Sequence, residues 1–298
     1  MDLYSQIDSN KRKTWIIVIF FVFILTGLVY LFSYILGGEE YAFAFVPLAF
    51  IVSVFSSIGS YYFSDKIVLA VSGAKKAEGH EFQQLHNLVE NLSIAAGVTK
   101  PQVYYIDDSA PNAFATGRDP KHAVICVTTG LLQKLERDEL EGVIAHELGH
   151  VKNYDIRLMA IVAVLVGSIA LIADWMLRST FYEGRDRDRK SGGGILIFIA
   201  IFAAILTPII AQLIKLALSR NREYLADSTG AYLTRYPKGL ADALIKISQD
   251  REPLEAANKG TAHMYIVNPF KGELAKGFAN MFSTHPPVEE RIKRLMQM

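Results

Sequence analysis

The sequence predicts a mainly α, α+β protein, a polytopic membrane chain with four transmembrane helices and a soluble part that is divided in two. Three observations predict this fold class. Only 20% of the residues are charged, and four long segments are almost free of charge. Apolar residues recur at helical spacing elsewhere, and short β-rich stretches lie together between turn residues. We therefore expect helices, a small β-sheet and a lipid bilayer to form one architecture.

The first two uncharged segments predict a transmembrane hairpin over residues 1–64. Trp15–Leu36 and Tyr41–Phe63 each exceed the roughly 20 residues needed to cross a hydrocarbon core of about 30 Å. A basic cluster at residues 11–13 precedes the first segment, as in a signal peptide. The segment is too long for a signal peptide, however, and no small-residue cleavage site follows it. The turn of the hairpin is expected at residues 37–40, Gly-Gly-Glu-Glu.

Residues 65–157 are expected to form the first half of the soluble part. Apolar residues at helical spacing between Phe82 and Ala96 predict a helix that Gly97 ends. Three β-rich stretches then predict a small sheet. They are Gln102–Ile106, Asn112–Gly117 and His122–Thr128. The acidic residues Asp138, Glu139 and Glu141 begin the next helix, where carboxylates complement the helix dipole.

A second transmembrane hairpin is expected over residues 158–214, formed by Leu158–Leu177 and Gly194–Ile214. The soluble part then resumes at residues 215–298. Basic residues at the span ends predict that both soluble halves face the cytoplasm. Basic residues at 185–190 in the opposite loop conflict with this rule, although acidic residues alternate with them.

The totals exclude some classes of partner. A net charge of +1 offers no basic surface for nucleic acid, so no nucleic-acid partner is expected. The single cysteine, Cys126, excludes an internal disulfide, and its place in a predicted strand indicates a buried apolar role.

Residues 146–150, His-Glu-Leu-Gly-His, form an HExxH pattern on the predicted helix. Positions four apart share a helical face, so His146 and His150 can reach one metal ion while Glu147 reaches a water on it. Zinc with three protein ligands keeps a fourth position open for that water. In a chain with 7 histidines among 298 residues, a chance HExxH is roughly a one-in-a-hundred event. The pattern itself supplies only two metal ligands, so a zinc site here needs a third ligand from elsewhere in the chain.

Glu223 and Asp227 directly follow the fourth predicted span and also share a helical face. One carboxylate can bind the ion while the other accepts a hydrogen bond from a ligand imidazole. Taken alone, this stretch would be a solvated acidic face paired with Arg220 and Arg222. Its position favours the metal site, because the two spans form a hairpin that returns Glu223 to the membrane surface where His150 emerges. We expect the motif helix to continue without a break from His150 into the third span.

At these residues the chain resembles the HtpX-type membrane zinc proteases, a bacterial family in the gluzincin group that is related to the CaaX prenyl-protein endoproteases. The similarity covers the first hairpin and most of the soluble part in family order. Its further motifs are PQVYYIDDSAPNAFATG (Pro101–Gly117), the HELGH helix with Asp155, REYLAD (Arg222–Asp227), AHMYIVNPF (Ala262–Phe270) and FSTHPPVEERIKRL (Phe282–Leu295).

The resemblance implies a gluzincin-like zinc protease domain and assigns its parts. His146, His150 and Glu223 would hold one Zn²⁺ per chain, and Glu147 would be the general base and acid. Asp227 would be the hydrogen-bond partner of a ligand histidine.

The resemblance also implies residues that handle substrate. Asn112, Ala113, Phe114 and Ala115 would form the edge strand on which a substrate backbone is laid by β-addition. His285 would help to stabilise the tetrahedral oxyanion, or would have a helix-entry role before Pro286 and Pro287.

The implied function is a zinc-dependent endopeptidase that acts on polypeptides, including misfolded or damaged membrane proteins. It would be a multi-pass protein of the bacterial inner membrane, in contact with the lipid bilayer, with its active site facing the cytoplasm and a role in stress response and quality control.

Two other functions stay open at this point. In an intramembrane site-2-type protease the motif lies inside a span, whereas charged residues flank it here. A membrane scaffold or transporter with structural zinc would need a closed four-ligand site, and the sequence offers no obvious fourth ligand.

Overall fold

The computed structural model describes residues 3–167, 220–258, 260–270 and 286–298. The second predicted hairpin lies outside these ranges except for residues 158–167, and His285 also lies outside them. Within the described residues, the predicted mainly α, α+β class with a small sheet is confirmed.

The first helix, α1 (Leu3–Val71), reverses direction at Gly38. Gly38 has a φ of 78°, which a residue without a Cβ adopts at little cost. Trp15 stacks on Tyr61 with ring centroids 5.8 Å apart, so the two arms lie side by side. The expected turn at residues 37–40 is thus a single non-helical residue.

The outer surface of α1 is apolar. Among the described residues, Gly38–Val71 is the one helical segment that is long and apolar enough to cross a membrane. Large side chains such as Phe23, Phe43 and Phe55 are 62–70% exposed, as expected of a surface that faces lipid. All four transmembrane spans stay a prediction.

The sheet has the strand order β1-β2-β4-β3. Its strands are β1 (Lys75–Lys76), β2 (Gln102–Ile106), β3 (Ala113–Thr116) and β4 (Val124–Thr128). β2 runs parallel to β4, and β3 pairs antiparallel with β4. β3 therefore lies at one edge of the sheet, on the side of the HExxH helix, with which it is in contact.

The helices that follow α1 make up most of the remaining described residues. They are α2 (Gln83–Ala96), α3 (Thr129–Lys134), α4 (Arg137–Lys152), α5 (residues 155–167), α6 (Arg220–Thr234), α7 (Pro237–Gln249) and α8 (Val288–Leu295). α2 ends at Gly97 as predicted, with a φ of 69° at that residue. α4 carries HExxH and packs between α6, α7 and the sheet. Cys126 is buried in β4.

The expectation that the motif helix continues without a break into the third span is wrong. α4 ends at Lys152, Asn153 and Tyr154 form a turn, and α5 begins at residue 155. Tyr154 has a φ of 61°, a conformation that costs a residue with a Cβ about 1–2 kcal/mol. The turn brings Asp155 beside His150.

Gly142 allows α4 to approach α7 closely. A Cβ built on it would lie 2.6 Å from the backbone nitrogen of Leu240. We expect Gly142→Ala to lower the free energy of unfolding by about 1–3 kcal/mol, since backbone must move to accept the methyl group. The measurement is the thermal unfolding midpoint in detergent.

Gly59→Ala is the matched control, because a Cβ at Gly59 meets no atom within 4 Å. Alanine there should leave the midpoint unchanged or raise it. Equal midpoints for Gly142→Ala and the unchanged protein would contradict the close approach.

Candidate metal centre and active site

Three buried side chains from two helices meet at one point. His146 and His150 come from α4 and Glu223 from α6, and each is at most 4% exposed. His146 Nε2 and His150 Nε2 lie 3.2 Å apart. Glu223 Oε1 lies 3.5 Å from His150 Nε2, and its Oε2 lies 3.9 Å from His146 Nε2. With one ligand atom taken from each residue, all three atoms lie within 4.8 Å of one another.

This donor set fits a tetrahedral zinc ion. Ligand atoms about 2.0–2.1 Å from zinc stand about 3.3 Å from one another in a tetrahedron, close to the shorter separations here. Two imidazole nitrogens and a carboxylate are ligands that zinc accepts. Among the described residues only these three supply ligand atoms, which leaves the fourth tetrahedral position open for water.

The crossing of α4 and α6 is close because both helices carry glycine at it. A Cβ on Gly149 would lie 3.1 Å from Ala226 Cα, and one on Gly230 would lie 3.1 Å from the backbone nitrogen of His146. A side chain at either position would require the facing helix to shift by a few tenths of an ångström. The two glycines therefore hold Glu223 within reach of both histidines.

The outer nitrogen of His146 is held by a chain of charged groups. Asp227 Oδ1 lies 2.9 Å from His146 Nδ1. Arg291 of α8 donates to both oxygens of Asp227, at 2.9 and 2.7 Å. Its Nη1 also donates to the carbonyl oxygen of Ile266 at 3.0 Å. A fixed carboxylate at Nδ1 leaves Nε2 of His146 as the nitrogen that faces Glu223 and His150.

His150 has a hydrogen-bond partner of its own, which was not predicted from the sequence. Asp155 Oδ2 lies 3.1 Å from His150 Nδ1. In a continuous helix, positions five apart point in different directions, so the spacing gave no signal. The turn at Asn153 and Tyr154 makes this contact possible.

Burial lowers the pKa of both histidines and the neighbouring carboxylates raise it, but the balance differs between the two. Burial lowers the pKa of His146 to about 4, although its hydrogen bond with Asp227 acts to raise it. Burial also disfavours the charged form of His150, but Asp155 and Glu223 outweigh it and raise that pKa to about 9. In Asp227, burial is outweighed by Arg291 and His146, and the pKa falls to about 2. Asp227 is therefore an anion near neutral pH.

Glu147 is buried beside the three ligands. Burial raises its pKa to about 7, and the nearby Glu223 carboxylate contributes in the same sense. The backbone N–H of Ala115 donates to its carboxylate. Its Oε2 is buried and has no hydrogen-bond partner among the described residues. A carboxyl group with a pKa near 7 suits a residue that must take and return a proton.

The predicted substrate strand lies at the sheet edge but is partly occupied. Asn112 immediately precedes β3, and Ala113 to Ala115 lie within it. The outward carbonyl of Ala113 accepts a hydrogen bond from Ile266 N at 3.0 Å, and Asn112 Nδ2 donates to Val267 O at 3.0 Å. A substrate strand that pairs with β3 must therefore meet it at Ala115 or displace residues 265–267.

Arg291 is the second residue near the site to which the sequence argument gave no role. The sequence does contain a pattern that could have indicated this residue. One helical face carries Val288, Arg291, Ile292 and Leu295, and Arg291 is its only charged member. Arg291 is fully buried. A charged residue on an apolar stripe needs a buried partner, which here is Asp227.

The comparisons with known proteins agree along almost the whole chain. The profile of peptidase family M48 matches residues 79–298. A protease HtpX homolog of Dictyoglomus thermophilum is 49% identical over 296 residues, covering 99% of this chain and 94% of that protein. The protease HtpX homolog of Thermoanaerobacter pseudethanolicus is 47% identical over 300 residues, covering 99% and 98%. That of Pyrococcus furiosus is 46% identical over 276 residues, covering 92% of each chain.

Among solved structures, the crystal structure of S. mikatae Ste24p superposes with a TM-score of 0.49 at 20% identity. The superposition covers 95% of this chain and 66% of that chain. A likeness of this degree carries no argument about function.

Proposed function

Because the chain belongs to peptidase family M48, it is a membrane metalloendopeptidase, and we propose that it hydrolyses peptide bonds with one Zn²⁺ held by His146, His150 and Glu223. The resemblance to HtpX-type proteases is thereby confirmed. The observation that carries the zinc proposal is the convergence of these three buried ligand atoms beside Glu147. When bound, such an ion acts as a Lewis acid and makes hydroxide available near neutral pH.

The protein's own residues would supply orientation and proton transfer. Asp227 and Asp155 accept hydrogen bonds at the Nδ1 atoms of the two histidines, which directs both Nε2 lone pairs to one point. Glu147 takes the proton of the attacking water and returns it to the leaving amine. No covalent intermediate with the enzyme is required.

The substrate backbone would approach along the outer edge of β3. We propose that the substrate strand pairs with residues Asn112, Ala113, Phe114 and Ala115. Ala115 is the first position beyond the hydrogen bond that Ile266 makes to Ala113. The N–H of Ala115 donates to Glu147, so a chain paired near Ala115 would lie beside the proton-transfer group. His285 keeps its two proposed roles, at the oxyanion or at the helix entry.

The membrane segments would determine which substrates reach the site. We propose that residues 1–64 and 158–214 are two transmembrane hairpins, and that residues 65–157 and 215–298 form one catalytic domain at the cytoplasmic surface of a bacterial inner membrane. Polypeptides with cleavable segments close to the bilayer would then be the substrates, including misfolded or damaged membrane proteins.

Metal removal and reloading test this proposal. We expect the purified protein to cleave an unfolded membrane-protein reporter, to lose this activity after treatment with a chelator, and to regain it with about one equivalent of Zn²⁺ per chain. Cleavage is measured by the appearance of fragments over time. The matched control is the same chelator saturated with Zn²⁺ beforehand, which should leave cleavage intact.

Two outcomes would oppose the proposal. Cleavage that continues in metal-free protein would remove the metal mechanism. Recovery with Mn²⁺ or Co²⁺ but not with Zn²⁺ would keep the mechanism and exclude zinc as the natural ion.

A further inference from the structure

The side chain of Asn10, in the N-terminal part of α1, contacts residues that adjoin the proposed metal ligands. Asn10 is 3% exposed and lies 145 positions from Asp155 in the chain. Its Nδ2 donates to Asp155 Oδ1 at 2.7 Å and to the carbonyl oxygen of Asn153 at 3.0 Å. Its Oδ1 accepts from Arg222 Nη1 at 3.2 Å. The polar atoms of this one side chain thus contact the turn that follows α4 and the helix α6, which supplies Glu223.

The two donor contacts hold the turn between α4 and α5. One reaches Asn153 before Tyr154 and the other reaches Asp155 after it, so the amide bridges the residue with positive φ. Because the second oxygen of Asp155 contacts His150, fixing this turn fixes the carboxylate against the imidazole. The acceptor contact ties the same point to Arg222, the neighbour of Glu223.

The chemistry of this position favours asparagine. Around this side chain lie two oxygens, from Asn153 and Asp155, which accept hydrogen bonds, and the guanidinium of Arg222, which donates one. A primary amide of this length supplies two N–H groups and one carbonyl. Aspartate would bring its carboxylate against Asp155 without donors, and an aliphatic residue would remove the amide donor from the Asn153 carbonyl and leave Asp155 Oδ1 with the Arg222 guanidinium 3.6 Å away.

We propose that Asn10 is a positioning residue of the metal centre, which acts by holding Asp155 against His150. This inference rests on the proposed function, since it concerns the same metal. Asn10 lies outside the range 79–298 that the family profile matches. The N-terminal hairpin is accordingly a part of the site as well as an anchor.

The test measures how firmly the protein holds Zn²⁺ rather than how fast it cleaves. The full-length protein in detergent is loaded with Zn²⁺, and transfer of the ion to a chromogenic chelator is followed in time. We expect Asn10→Leu, which keeps the side-chain volume and the helix, to release Zn²⁺ faster by up to roughly tenfold. Loss of a direct hydrogen-bond partner of a ligand costs roughly 10–100-fold in metal affinity, and Asn10 acts one contact further out. Asn10→Ala should act in the same direction.

The matched control is Thr14→Ala. Thr14 is buried one turn later on the same helix, and its hydroxyl donates to the carbonyl oxygen of Asn10 itself. This variant removes a buried polar side chain from α1 without touching Asp155. Its rate of Zn²⁺ release should equal that of the unchanged protein.

A combined variant separates positioning from general destabilisation. If Asn10 acts through Asp155, adding Asn10→Leu to Asp155→Asn should change the release rate little beyond that of Asp155→Asn alone. If the two substitutions increase the release rate independently, so that their factors multiply in the double variant, the proposal is wrong. It is also wrong if Asn10→Leu and Asn10→Ala release Zn²⁺ as slowly as the unchanged protein.

The outcomes also separate this inference from the proposed function. If the unchanged protein holds no Zn²⁺, both fall together. If it holds Zn²⁺ and the Asn10 variants retain it equally well, only the role of Asn10 fails.

Discussion

Replacing Glu147 by glutamine is expected to reduce peptide-bond hydrolysis by roughly 10²–10⁴-fold while the metal stays bound. Glutamine has nearly the shape of glutamate, and the three proposed ligands belong to other residues. It cannot accept a proton from water near neutral pH, however, and it has none to return to the leaving amine. Cleavage of the membrane-protein reporter and metal content per chain are the two measurements.

The position of Glu147 explains why so large an effect is expected. Burial raises the pKa of its carboxyl group to about 7, and its Oε2 has no hydrogen-bond partner within the described part of the chain. A structural carboxylate would be expected to have both oxygens bonded. The unbonded oxygen beside the ligand atoms is therefore placed to meet water and substrate.

Glu141→Gln is the control for this prediction, because Glu141 lies on the same helix but is only partly buried and is not one of the residues around the three ligands. It should cleave the reporter at the normal rate. Undiminished cleavage by Glu147→Gln would remove general-base catalysis by this residue from the mechanism. Loss of metal together with activity would assign Glu147 a role in binding instead.

Local patterns in the sequence predicted the parts of the site that depend on helical spacing. His146 and His150 are four apart on α4, Glu223 and Asp227 are four apart on α6, and each pair does share a face in the structure. The sheet and the helix that ends at Gly97 were predicted in the same way, from periodicity and turn residues. Such signals reside in a few neighbouring residues.

The contacts that the sequence did not reveal depend on backbone breaks or on distant parts of the chain. Asp155 reaches His150 only because Tyr154 adopts a positive φ, and no local preference of tyrosine predicts that. Asn10 and Asp155 meet across 145 positions, and Arg291 and Asp227 across 64. Partners of this kind are determined by tertiary packing, which a single sequence does not encode in any short pattern.

These distant contacts give the centre its shape. One histidine is held through Asp227 by α8, and the other through Asp155 by α1. The ligand helices α4 and α6 are thus fixed from opposite ends of the chain. A site that is assembled in this way should lose its metal when either end is released, whereas a site contained within HExxH alone would not.

Glu223→Ala is expected to remove most of the bound metal and the activity with it. The variant deletes the only ligand that α6 supplies in the proposed centre, leaving two imidazoles from one helix. The loss of affinity should exceed the roughly 10–100-fold that removal of an outer hydrogen-bond partner costs. Metal content after dialysis against buffered low Zn²⁺ is the measurement, with reporter cleavage recorded in parallel.

The fold should survive this change, so that loss of metal can be assigned to the ligand. Arg291 keeps its two hydrogen bonds to Asp227, and the glycine contacts between α4 and α6 do not involve the Glu223 side chain. The exposed carboxylate Glu289 provides the control, since Glu289→Ala should keep both metal and activity. Full metal occupancy in Glu223→Ala would show that α6 does not ligate the ion. The hydrolytic centre would then have to be completed by a residue other than Glu223.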